Sequence, residues 1–150
     1  MNAASDVIPN AQAQRNELRR LCEQLHAAGA SERDLVLIYD LLTPYYQYYF
    51  GQPLPVASLG WTAIHSASEF EAVGARLQEQ MRTTWSRGGR VLIAESELSP
   101  NPRKYYQLQF LSPQAYARFY APYRESLRPV FLFDWEGQRL TMFEVLPRPS

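Results

Sequence analysis

The sequence predicts an α+β domain: a four-stranded, mostly antiparallel sheet of two hairpins, packed with three to four helices in the order ααα-ββ-α-ββ. Three observations carry this prediction. Apolar residues recur at helical spacing over 18–25, 70–85 and 116–127. Short runs at 90–94, 105–110, 130–134 and 140–146 are continuously apolar or alternate with a period of two. Gly or Pro stands at nearly every junction between such segments. Two hairpins separated by one helix and preceded by three helical segments place the helices over one face of the sheet.

Composition sets the outer limits. The 150 residues, 46% hydrophobic and 20% charged, suit one globular domain. Residues 1–9 read as a disordered N-terminal tail, 10–147 as a single globular domain and 148–150 as a second tail. Fifteen basic and fifteen acidic residues cancel, and the sequence pI is near 6.7, which argues against nucleic acid or anionic lipid as a partner. Zero net charge also removes the repulsion between copies, so a homo-oligomer, most simply a homodimer, is expected. Every basic residue except Lys104 is Arg, as in proteins encoded by GC-rich bacterial genomes, and Arg is also favoured in interfaces. Cys22 is the only cysteine, and neither a leader nor an apolar run of membrane-spanning length is apparent, which together predict a cytoplasmic protein.

Leu18, Leu21, Cys22 and Leu25 form one stripe of a first helix over 10–28, which Gly29 stops. Ser31 and Asp34 resemble a capping box before Leu35-Val36-Leu37-Ile38-Tyr39, predicting a second helix ended by Pro44. Thr43 and Pro44 can start a further turn over Tyr45–Phe50 that Gly51 closes, with an aromatic strand as the competing assignment. Pro53 and Pro55 mark 52–60 as a loop. A third helix, capped by Ser66 or Ser68, carries Phe70, Val73, Leu77, Met81 and Trp85 and ends at Gly88-Gly89. Strands at 90–94 and 105–110 form the first hairpin; a fourth helix from Pro113 to Leu127 is kinked at Pro122; the second hairpin turns at Trp135–Gln138.

No motif for catalysis, a metal or a nucleotide emerges, so no cofactor is expected and binding is favoured over catalysis. Cys22 and His26 lie one helical turn apart, but no further ligand completes a site, and Cys22 reads as a core residue. His65 reads as a surface or capping histidine, and Glu95, Glu97, Asp134 and Glu136 as solvated turn charges. Gly88-Gly89 follows a helix and precedes a strand, the reverse of a phosphate loop. Arg118, Arg124 and Arg128 alternate with Tyr116, Tyr120 and Tyr123, but those tyrosines hold core-facing helical positions.

The aromatic run Tyr45-Tyr46-Gln47-Tyr48-Tyr49-Phe50 is the most informative segment. Its consecutive rings cannot all face one core, so some are left for a partner or for the following loop to cover. The expectation is a bacterial protein-binding module (adaptor, inhibitor, chaperone or regulator) that makes contact through Tyr45, Tyr46, Tyr48, Tyr49 and Trp135. The alternative is a small-molecule site or enzyme in a tyrosine-lined pocket, with His65 or Glu95 as its polar group.

Overall fold

The structure is a computed structural model in which residues 3–38, 42–60, 67–98 and 113–148 are described. The elements are α1 (Ala3–Ala27), β1 (Leu35–Leu37), α2 (Leu42–Phe50), β2 (Val56–Ala57), α3 (Ala67–Ser86), β3 (Val91–Ala94), α4 (Glu95–Leu98), α5 (Pro113–Arg124), β4 (Leu127–Trp135) and β5 (Gln138–Val145). The α+β class holds. Among the described residues, however, the sheet has five strands in the order β2-β1-β3-β5-β4 and is mixed: β2, β1 and β3 run parallel, while β5 is antiparallel to both β3 and β4.

The largest departure from expectation is β1, predicted as a helix. Leu35 to Leu37 form the central parallel strand, and their N–H groups turn alternately to its two neighbours: Leu35 N donates to Arg90 O (2.9 Å), Val36 N to Pro55 O (2.9 Å) and Ile38 N to Ala57 O (3.0 Å). Leu35 and Leu37 point into one core, Val36 and Ile38 into the other. A strand covered on both faces has no polar side, so its period of two leaves no trace in hydrophobicity. The Ser31–Asp34 contact does form, with Ser31 N donating to Asp34 Oδ2 (2.9 Å). It closes a turn rather than a helix. Asp34 Oδ1 accepts the Arg90 N–H (2.8 Å), so the buried carboxylate fastens the start of β1 to the chain entering β3.

Other corrections follow from this pairing. The expected loop 52–60 contains β2, which is only two residues long. A hairpin of 90–94 with 105–110 is excluded, since β1 and β5 occupy both edges of β3; residues 105–110 themselves lie outside the described residues. The first helix starts at Ala3 rather than Asn10, and α5 ends at Arg124, leaving Leu127 to open β4.

The helices cover both faces of the sheet rather than one. Leu18, Leu21, Cys22 and Leu25 of α1, with Leu42 and Tyr46 of α2, pack on Val36, Leu92, Phe133, Trp135 and Met142. On the opposite face Val73, Leu77 and Met81 of α3 and Tyr120 of α5 pack on Leu35, Leu37, Val91, Ile93 and Val145. Each cluster buries enough large apolar side chains, at ~1.5–3 kcal/mol each, to hold its helices against the sheet.

The expected turns form. Gly88 (φ 83°) ends α3, with Gly88 N bonded to Trp85 O (3.0 Å) and Gly89 N to Thr84 O (2.9 Å). The β4–β5 turn places Glu136 (φ 53°) and Gly137 (φ 78°) in the left-handed region, the two-residue geometry that matches strand twist. A register shift between Pro129 and Phe131 bends β4.

Candidate functional site

The aromatic run is helical, which divides it. Leu42, Tyr46 and Phe50 recur every four residues and turn inward, so Tyr45, Tyr48 and Tyr49 turn outward. Three contacts fix the inner row. The Tyr46 hydroxyl donates to Ala30 O (2.8 Å) and lies 3.4 Å from His26 Nδ1. Phe50 stacks on the His26 ring at 4.0 Å with planes 5° apart. Gly51 (φ 64°) ends the helix, its N–H bonded to Gln47 O (2.8 Å), and Thr43 Oγ1 donates to Leu54 O (2.8 Å), tying the helix start to the chain entering β2.

Tyr48 is 82% exposed, Tyr45 39% and Tyr49 36%. The rings of Tyr48 and Tyr49 meet edge to face at 5.3 Å. The hydroxyls of these three residues make no hydrogen bond among the described residues, and α2 carries no charged side chain. The result is a neutral patch of rings and unengaged phenols on a helix anchored from beneath. Of the other residues expected at this surface, Tyr46 is 0% and Trp135 9% exposed, and both belong to the α1-side core.

A second constellation was not foreseen. Glu97, expected as a solvated turn charge, is fully buried at the carboxyl ends of the parallel strands. Its Oε2 accepts from Ser58 Oγ (2.8 Å), and its Oε1 accepts from Leu59 N (2.9 Å) and from the Tyr120 hydroxyl (2.7 Å). Ser58 Oγ in turn accepts from Gly60 N (3.1 Å). One carboxylate therefore holds the chain leaving β2, the helical turn after β3, and α5. All three donors are directed at Glu97, and Ser58, Glu97 and Tyr120 are all buried, so the cluster acts as a clasp rather than as an exposed reactive centre. Its residues lie far apart in sequence, and only the sheet order brings them together.

The remaining sequence-marked residues have internal roles or lie elsewhere. Cys22 is buried in the α1-side core, and Glu95 is half-buried on α4. His65 lies outside the described residues. Asp134 pairs with Arg139 (3.1 Å), Arg128 with Glu144, and Arg124 Nη2 donates to Leu98 O (2.9 Å), so much of the Arg and Tyr alternation serves the fold. Among the described residues no group of three His, Cys, Asp or Glu side chains is placed to hold a metal ion, and no helix is long and apolar enough to cross a membrane. Comparison with known families, curated proteins and solved structures finds no match to this chain.

Proposed function

We propose that the protein is a protein-binding module, an adaptor, inhibitor, chaperone or regulator of the bacterial cytoplasm, that engages its partner through the outer face of α2. The observation that carries this reading is Tyr48, a large aromatic side chain left 82% exposed on a helix whose other side is locked into the core. Aromatic side chains held on a rigid support lose little conformational entropy on binding and are the usual anchors of interface hot spots. Tyr45 and Tyr49 flank it, and the absence of charge on α2 spares the interface a desolvation cost. The reading includes a homodimer, supported by the zero net charge of the chain.

The test is affinity copurification from host lysate with the parent and with a Tyr45→Ala, Tyr48→Ala, Tyr49→Ala variant, its folding checked by circular dichroism. A partner retained by the parent and lost by the folded variant is the expected result. A partner retained equally by both would remove α2 as the contact surface. Sedimentation velocity on the parent tests the dimer.

A further inference from the structure

We propose that the edge of β2, together with the facing stripe of α3, is a second binding surface that takes an extended peptide segment of a partner protein by strand addition, with an acidic side chain of that segment at Arg76. The two edges of the sheet are unlike. On β4 the outer edge is blunted: Pro129 has no N–H, Gln24 Nε2 donates to Leu132 O (2.6 Å), and Glu136 N donates to Glu17 Oε2 (2.8 Å) at the hairpin tip. On β2 the carbonyls of Pro55 and Ala57 face β1, where they accept from Val36 N and Ile38 N. The alternation of a strand therefore turns the N–H and C=O of Val56 outward, and no hydrogen bond is made to them among the described residues.

Beside that edge runs a groove of about 580 Å³, walled by Val56, Ala57 and Ser58 on one side and by α3 on the other. Val73, Arg76, Leu77 and Gln80 line it at i, i+3, i+4 and i+7, a single stripe of the helix. That stripe is roughly 10 Å long at 1.5 Å per residue, the reach of about three residues of extended chain. The floor is apolar, for Val73 and Leu77 are buried.

Charge selects the occupant. Glu79 is engaged by Arg82 through Nε (3.2 Å) and Nη2 (2.7 Å), whereas Arg76 makes no hydrogen bond or ion pair among the described residues. The groove thus presents one unengaged guanidinium next to an open main-chain edge, which suits an extended segment carrying a carboxylate. This surface does not depend on the tyrosines of α2.

The test uses the full chain and two pools of fluorescent pentapeptides, blocked at both ends and randomised except for a central Asp or a central Lys, read by fluorescence polarisation. The parent should bind the Asp pool at least about ten-fold more tightly than the Lys pool. Arg76→Glu should reverse that preference. Val56→Pro removes only the outward N–H, leaves the bonds to β1, and should weaken both pools, while the triple tyrosine variant should bind like the parent. If Val56→Pro does not fold, the Arg76→Glu reversal alone decides. Equal binding of the two pools, no binding of either, or a dimer that Val56→Pro dissociates without any peptide binding would each overturn the proposal.

Discussion

Glu97 shows how much of the fold can rest on one side chain. Removing its carboxylate takes the acceptor from three buried donors, Ser58 Oγ, Leu59 N and the Tyr120 hydroxyl, and a buried donor that loses its acceptor costs ~1–3 kcal/mol. Glu97→Ala should therefore lose at least about 3 kcal/mol in urea unfolding, and Tyr120→Phe about 1 kcal/mol, since it removes one donor and leaves the carboxylate bonded. Tyr46 makes a pH-dependent contribution. Burial, then the coulombic influence of Cys22 and Asp34, raises its phenol above the ordinary value of 10.0. A group whose pKa is higher in the folded state stabilises fully below its unfolded pKa and ceases to do so as pH climbs through the folded value. Unfolding experiments should thus show stability falling above pH 10.0, and falling less steeply in Tyr46→Phe. At this scale the sequence was half legible. The spacing of Leu42, Tyr46 and Phe50 already separates inner from outer rings once the segment is taken as a helix, whereas the burial of Glu97 depends on partners that no local pattern links to it.

Elements whose sequence carries a stripe, a turn or a sharp boundary were recognisable, and those without one were not. α3 and the β4–β5 hairpin carry periodic stripes or turn residues that state their own identity, and β3, though covered on both faces, is marked as a strand by a short apolar run directly after Gly88-Gly89; all of them form where expected. β1 misleads because it is covered on both faces and also follows a Ser31–Asp34 turn that imitates a helix cap, and β2 because two residues between prolines and a turn cannot establish a period. Pairing was less legible still: the neighbours of β3 are β1 and β5, chosen by long-range contacts rather than by the nearest run in sequence. The join between α3 and β3 offers a sharp test of how tightly these elements meet. A Cβ on Gly89 would lie 1.8 Å from Arg33 O, a backbone atom that cannot swing aside. Gly89→Ala should cost about 3 kcal/mol or more in thermal or chemical unfolding. At neighbouring Gly88, where nothing lies within 4 Å, the same change meets only the penalty of its positive φ and should cost about 1 kcal/mol.

The whole molecule is two cores on one partition. Because β1 and β3 supply residues to both clusters, neither face can lose its strands while the other keeps them. Trp135 reports on the α1 side, while Trp85, which donates to Val145 O (3.2 Å), reports on the α3 side. With the other tryptophans replaced by Phe, the two single-tryptophan proteins should give coincident urea transitions, which should also match the loss of helix by circular dichroism. Separate midpoints would show that the faces unfold independently. The same arrangement bears on synthesis at the ribosome. α1 finds its sheet contacts largely in β4 and β5, which are made long after it: Leu18, Leu21 and Leu25 share a core with Phe133, Trp135 and Met142, and Glu17 and Gln24 bond to Glu136 and Leu132. Until β4 and β5 have cleared the exit tunnel, α1 can lean only on earlier elements such as α2, and the part of its apolar stripe that the hairpin covers stays open. α1 is therefore made well before its seat on the sheet exists, and the nascent chain carries a raised risk of aggregation until the β4–β5 hairpin has followed it.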